Sequence, residues 1–95
     1  MRVKNMISSN GNYVPNQFII TDDNKVAFQS YASTIAVIDY LKRTITLGVD
    51  WDYSRTTGKY RNLFFDEYLP MLNSKDAILK AIKNGLDNGW TLVAE

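Results

Sequence analysis

The sequence of 95 residues contains no cysteine and no histidine. These absences exclude disulfides, thiolate nucleophiles, Ser-His-Asp triads and any imidazole base with a pKa near neutrality. Zinc, haem and iron–sulfur centres built on cysteine and histidine ligands are excluded for the same reason. Serine–lysine, threonine, tyrosine and carboxylate mechanisms stay open, but no pairing of residues in the sequence favours one of them. We therefore predict a non-enzymatic protein without a cofactor.

Long apolar runs and a strong net charge are also missing. No stretch approaches the roughly 20 apolar residues of a membrane-spanning helix, and Met1–Asn5 does not lead into the apolar segment of a signal peptide. We therefore expect a soluble, cytoplasmic protein. The formal net charge of +1 provides neither the acidic surface of a DNA mimic nor a basic field for non-specific DNA binding.

The first half of the chain has the pattern of a strand meander. Asn10-Gly11 and Asp22–Lys25 have the composition of tight turns between strands. The apolar run Ile35–Ile38 would also fit a short buried helix, but we favour a strand. The predicted strands are Val3–Ser8, Phe18–Thr21, Val26–Tyr31, Thr34–Tyr40 and Thr44–Val49.

The second half changes to helical periodicity. Thr57 is the predicted N-cap of a helix over residues 58–69, which Pro70 ends. Ser74 is the predicted cap of a second helix, which Gly85 ends with a positive φ angle. The inner apolar stripe of this second helix is predicted to be Ala77, Ile78, Ala81 and Ile82.

A last strand is predicted over residues 90–93, after the turn Asn88-Gly89, at an edge of the sheet or as its return strand. Together these elements predict an α+β fold. An antiparallel sheet of about five strands would carry two helices packed on one face. With 45% hydrophobic and 22% charged residues, a chain of this length is typical of one globular domain. We therefore predict a single small domain over residues 1–95.

Residues 51–62, called here the aromatic–basic segment, interleave three aromatic and three basic side chains. Aromatic and arginine side chains provide contact area with little rotamer loss at protein interfaces. They also stack on bases and pair with phosphates in nucleic-acid complexes. The segment therefore predicts a recognition surface. Tryptophan and tyrosine would make apolar contacts, arginine would bind a carboxylate or phosphate through its forked guanidinium group, and lysine would act as a point charge. The predicted partner-binding residues are Trp51, Tyr53, Arg55, Lys59, Tyr60 and Arg61.

Two other interpretations of this segment stay open. Trp51 and Tyr60 could instead fill the junction between sheet and helix, because a domain of this size is expected to bury at least one tryptophan. Asp50 and Asp52 are two residues apart, on one face if they continue a strand. Such a carboxylate pair could hold Mg²⁺ for phosphodiester hydrolysis. The sequence places no third ligand or base beside it, so a metal-dependent nuclease is the least favoured hypothesis.

Three blocks of sequence resemble a family of small, uncharacterised proteins encoded by bacteriophages, plasmids and related mobile elements. The blocks are Asn16–Ile20, Phe28–Ala36 and the aromatic–basic segment, and the resemblance covers roughly residues 3–65. Mobile elements use small single-domain proteins to block host defences, and anti-CRISPR proteins are one such class. The resemblance therefore implies an inhibitor that binds a host defence protein or ribonucleoprotein effector. A small nucleic-acid-binding accessory or autoregulatory protein is the alternative.

Overall fold

The computed structural model describes residues 1–95 and contains one six-stranded sheet. The strands are β1 (Arg2–Ile7), β2 (Tyr13–Asp22), β3 (Lys25–Ser30), β4 (Ser33–Asp39), β5 (Thr44–Leu47) and β6 (Thr91–Ala94). The helices are α1 (Arg55–Tyr68) and α2 (Lys75–Asn84), with a 3₁₀ helix at Pro70–Leu72 between them. The strands lie in chain order across the sheet, and all neighbours are antiparallel except β5 and β6. The predicted α+β fold is confirmed, with six strands instead of about five.

The apolar run in β4 is a strand, as favoured, and a bulge explains why it departs from strict alternation. Phe28 pairs with Ala36. The next residue of β3, Gln29, pairs with Thr34, so Ile35 is an extra residue on β4. A bulge of this kind interrupts the alternation of faces locally. Two successive residues are therefore buried, with Ile35 at 1% exposure and Ala36 at 0%.

Helix α1 begins earlier than the sequence predicted. Its N-cap is Ser54, whose Oγ accepts a hydrogen bond from the Thr57 backbone N–H at 3.1 Å. The prediction of Thr57 as N-cap was therefore wrong. Thr57 is buried instead, with its Oγ1 3.1 Å from the Ser30 Oγ of β3. Arg55, which was expected to precede the helix, is its first residue.

Helix α2 has the predicted cap and a narrower buried stripe than predicted. The Ser74 Oγ accepts a hydrogen bond from the Ala77 N–H at 3.1 Å. Gly85 ends the helix with φ of 78°. Ile78 is fully buried, but Ile82, which was assigned to the inner stripe, is 43% exposed. The stripe is narrow because one helix turn contributes only one or two side chains to the sheet it covers.

The last strand lies at the edge of the sheet and pairs with β5 in parallel. Asn88 and Gly89 form the predicted turn before it, both with positive φ angles. The connection from β5 to β6 runs through both helices, which is the crossover that a parallel pair requires. β6 covers residues 91–94 instead of 90–93.

The hydrophobic core lies between one face of the sheet and the two helices. It is a cluster of 13 buried residues, in which Phe28 of β3 stacks on Phe64 of α1 with ring centroids 5.8 Å apart. Neither α-helix combines the length and apolar content that a membrane crossing requires. The helices thus cover one face of the sheet, and α1 places its N-terminal end beside the turn between β3 and β4.

Candidate functional site

The loop from β5 to α1 is held close to the start of β4 by a glycine. The Gly48 N–H donates to the Ile35 carbonyl at 2.9 Å. A Cβ at position 48 would lie 2.1 Å from the Thr34 carbonyl oxygen, which is backbone and cannot rotate away. Only glycine allows this approach. The loop residues that follow are thereby brought against the β3–β4 turn.

Replacing Gly48 with alanine is expected to lower the free energy of unfolding by about 2–3 kcal/mol, because the added methyl group overlaps a backbone atom. Urea denaturation of the wild type and the variant checks this value. Gly58→Ala is the matched control, since a Cβ there meets only the Arg61 side chain at 3.6 Å. Because Gly58 lies in the interior of α1, Gly58→Ala is expected to raise the free energy of unfolding by about 0.5–1 kcal/mol. Equal effects at both positions would contradict the close approach.

The loop and the turn form the two walls of an open cleft of 540 Å³. One wall is the β3–β4 turn, and the other is the loop together with the first turn of α1. Most of the side chains that line the cleft carry a hydroxyl group. The lining residues are Ser30, Tyr31, Ala32, Ser33, Ile35, Asp50, Tyr53, Ser54, Thr56 and Thr57.

Hydrogen bonds between polar side chains join the two walls. The Ser33 Oγ donates to the Asp50 Oδ2 at 2.9 Å. Deeper in the cleft, the buried hydroxyl groups of Ser30 and Thr57 lie 3.1 Å apart, and the Ser54 Oγ lies 3.2 Å from the same Thr57 oxygen. The Ser33–Asp50 and Ser30–Thr57 contacts fix the width of the cleft, because each of them links one wall to the other.

Two tyrosines stand at the cleft with most of their surface in solvent. Tyr31 is 60% exposed and Tyr53 is 78% exposed. Tyr31 is the first residue of the two-residue turn between β3 and β4 and has φ of 55°. Its N–H donates to the Asn16 carbonyl at 2.7 Å, which holds this backbone in place. A bulky residue with positive φ costs on the order of 1 kcal/mol. The turn therefore presents an aromatic ring where glycine would be more stable.

Arg61 is inside the domain, in contrast to its predicted role as a surface contact. The side chain is 2% exposed. Its Nη1 donates to the Trp51 carbonyl at 3.0 Å and to the Asp52 Oδ1 at 3.3 Å. Its Nε and Nη2 both donate to the Asn62 Oδ1, at 3.2 and 2.9 Å. Every guanidinium nitrogen is thus engaged within the chain, and we correct the prediction: Arg61 anchors the loop to α1.

The Trp51 ring completes this anchor, since the Arg61 guanidinium carbon lies 5.3 Å from the ring centroid. Trp51 and Tyr60 are both partly buried and pack against the core cluster. Their predicted contact with a partner is therefore limited to the part of each side chain that remains in solvent. Their packing agrees with the other interpretation of the segment, in which these two rings fill the junction between sheet and helix.

Arg55 and Lys59 lie on the first two turns of α1 and are exposed. The Lys59 Nζ is 5.3 Å from the centroid of the neighbouring Tyr60 ring. Neither cation has an ion-pair partner in the chain. With Tyr53 they are the members of the predicted set whose side chains are free to contact another molecule.

The two carboxylates proposed as a metal pair are engaged with different partners. Asp50 accepts from Ser33, whereas Asp52 lies 2.7 Å from the Lys75 Nζ and 3.3 Å from the Arg61 Nη1. No three acidic side chains in the chain are grouped so that they could hold a metal ion. The hydrogen bond from Lys75, and then the one from Arg61, hold the pKa of Asp52 below its ordinary value of 3.8.

The lowered pKa of Asp52 predicts how the stability of the protein depends on pH. A carboxyl group whose pKa is depressed by folding stabilises the folded state above its unfolded pKa, and this contribution is lost as the pH falls through the folded pKa. We expect the stability difference between wild type and Asp52→Asn to be constant above about pH 5 and to decrease below pH 3.8, as the pH falls toward and through the lower pKa of the folded state. Urea denaturation as a function of pH measures it. A difference that persists unchanged at pH 2–3 would contradict the pairing.

Tyr31 and Ser33 were not among the residues that the sequence predicted to bind a partner, and the cleft was not predicted either. A signal at this position was present, because the connection between the predicted strands Val26–Tyr31 and Thr34–Tyr40 contains no glycine, asparagine or aspartate, the residues that are usual in tight turns. Lack of turn residues between two strands indicates that a side chain is retained for another reason. The other cleft residues give no local signal, since serine and threonine are common in turns.

Comparison with known proteins places the chain in one family. No curated protein and no solved structure matches the sequence. One family model matches residues 1–83, a range that includes both walls of the cleft. The chain therefore belongs to a family described as a family of unknown function, DUF8033.

Proposed function

We propose that this protein is a non-enzymatic binding domain that docks onto one partner through the cleft and its two tyrosines. The observation that carries the proposal is the position of Tyr31 and Tyr53, which are 60% and 78% exposed and line the same cleft. Tyrosine is a common anchor of interfaces, because it gives a large contact area and loses few rotamers. The hydroxyl groups between the rings supply donors and acceptors that fix the orientation of a bound segment.

The partner we propose is a host defence protein or ribonucleoprotein, such as a CRISPR effector in the cytoplasm. This choice rests on the resemblance to proteins of bacteriophages and plasmids. The exposed Arg55 and Lys59 on α1 support this choice of partner. A guanidinium group and an ammonium group beside an aromatic anchor can pair with the acidic or phosphate groups of a nucleoprotein. A protein of this kind would inhibit by occupying a surface, at about one copy per target.

Affinity capture from a bacterial lysate tests this proposal. The bait is the wild type, and the test variant is Tyr53→Ala/Arg55→Ala. Leu79→Ala/Lys80→Ala is the matched control, since Leu79 is 43% exposed and both residues lie on α2. The proposal expects a protein or nucleoprotein that is retained by the wild type and the control and lost with the test variant. Retention by all three would contradict it, as would inhibition of the captured target far below a 1:1 ratio.

Nucleic acid is the second candidate partner, favoured by the two exposed cations next to an exposed tyrosine. Salt separates the candidates, because each phosphate engaged lowers the logarithm of the affinity by about one unit per logarithmic unit of salt. A steep salt dependence that flattens in Arg55→Ala and Lys59→Ala would support direct nucleic-acid binding. Binding that is nearly independent of salt would favour a protein partner.

A further inference from the structure

The face of the sheet opposite the helices carries an apolar row that nothing in the chain covers. One residue from each strand lies in register across this face. None of the six belongs to the core cluster or packs against it. The row consists of Val3, Ile20, Ala27, Val37, Thr46 and Val93.

This row is unusual for a face in contact with water. An antiparallel sheet with one solvated face normally has polar residues on that face, but five of these six side chains are apolar. Val3 and Val93, at the two edges, are 59% and 48% exposed. The accessible surface of the chain is 6131 Å², whereas about 5,600 Å² is expected for a folded monomer of this mass. The chain as a whole therefore exposes roughly 500 Å² more surface than is expected for a monomer of this mass.

The charges beside the row are paired with one another. The Lys25 Nζ lies 4.0 Å from the Asp39 Oδ2, and the amino group of Met1 lies 3.9 Å from the Asp22 Oδ1. Lys25 is the cross-strand neighbour of both aspartates. This flank therefore has charges of both signs and no net charge, so an identical flank can approach it without repulsion.

We propose that the open face binds a second copy of this chain, with a two-fold axis parallel to the strands and passing between β3 and β4. This axis stacks the two sheets face to face and puts β1 of one copy over β6 of the other. Ala27 then lies opposite Val37, a small residue against a larger one. Lys25 lies opposite Asp39 of the second copy, which is 7% exposed and keeps its own Lys25, so like charges do not face each other across the interface.

The size of the face sets the strength of this dimer. Six strands about 4.8 Å apart span about 24 Å, and strands of four to ten residues at about 3.3 Å per residue give a face of roughly 500 Å² per copy. The total of about 1,000 Å² is at the lower limit for a specific interface. We therefore infer a dimer that dissociates on dilution and re-forms at high concentration. It uses a different face from the cleft, so it stands independently of the proposed function.

Sedimentation equilibrium of the full chain tests the dimer. The mass is expected to double between about 5 µM and about 500 µM for the wild type, a range suited to a small interface. Thr46→Lys replaces a polar residue of the row and is expected to remain folded and monomeric, and Val37→Lys is expected to give the same result. Leu79→Lys, an exposed apolar residue of α2, is the matched control and should dimerise as the wild type does. A monomeric wild type at the highest concentration would overturn the proposal, as would a dimer that persists in folded Thr46→Lys.

Cross-linking tests the orientation, and the absence of native cysteine makes it specific. Val3→Cys and Val93→Cys are made as separate variants, mixed, and treated with a bismaleimide that spans about 10 Å, the spacing of packed sheets. The two positions in one chain are about 24 Å apart and out of its reach. The proposed axis predicts mixed cross-linked dimers and little product from either variant alone. Products only within each variant would overturn the proposed arrangement.

Discussion

Replacing Arg61 with alanine is expected to lower the free energy of unfolding by about 3 kcal/mol, the largest single effect on stability that we predict. The change removes a side chain that is 2% exposed and leaves the Trp51 carbonyl without its donor. An unsatisfied buried acceptor costs about 1–3 kcal/mol. The Trp51 ring also loses the guanidinium beneath it, and the stem of the arginine no longer fills its place in the core. Asp52 keeps Lys75, which limits the loss.

Urea denaturation measures this effect, with two comparisons that identify its cause. Arg61→Lys keeps the charge but cannot form the fork to the Trp51 carbonyl and Asn62, so an intermediate loss is expected. Lys59→Ala removes an exposed cation from the same helix and is expected to change the stability by less than about 0.5 kcal/mol. A loss below about 1 kcal/mol for Arg61→Ala would mean that Arg61 is not the anchor of the loop.

Replacing Tyr31 with glycine is expected to weaken partner binding about 100-fold while it stabilises the fold by about 1 kcal/mol. Stability rises because glycine adopts the positive φ of 55° without strain. Binding falls because the removed ring is an exposed anchor, and loss of an anchor of this kind costs about 2 kcal/mol or more. Opposite signs for stability and binding are expected where strain is retained for function.

The two effects are measured separately, by urea denaturation of the free protein and by calorimetric titration with the captured partner. Tyr13→Ala is the matched control, since Tyr13 is 75% exposed and lies outside the cleft. Its binding is expected to equal that of the wild type. If Tyr31→Gly binds as tightly as the wild type, Tyr31 is not part of the docking surface. If Tyr31→Gly is less stable than the wild type, the positive φ angle of Tyr31 does not strain the backbone.

The fold was largely readable from the sequence because local signals and the global arrangement agree. The alternation of apolar and polar residues in the strands, the capping residues before the two helices and the turns that contain glycine all predict the same α+β domain. The N-cap of α1 was misplaced by one turn because Ser54 and Thr57 are both good capping residues. What decides between them is the contact of Thr57 with Ser30, 27 residues away in sequence, and no local pattern contains that information.

The site was less predictable, and Arg61 shows why. Arginine is assumed to be at the surface, because burying its charge costs several kcal/mol unless partners compensate for it. Here the partners are the Trp51 carbonyl and the Asp52 carboxylate, which only the folded loop brings to Arg61, and the side-chain amide of the adjacent Asn62. Tyr53, Arg55 and Lys59 are exposed, because they have no such partners, and their contact with another molecule stays a prediction. The cleft itself depends on Gly48, whose need for a close backbone contact cannot be seen in sequence.

The most direct test of the docking surface is an NMR titration of the isotope-labelled protein with the captured partner. We expect the amide signals of Tyr31, Ser33 and Tyr53 to shift or broaden at a 1:1 ratio. The signal of the buried Arg61 side chain should keep its position, because its bonds are internal. Shifts confined to other surfaces, with the cleft signals unchanged at saturation, would contradict the account.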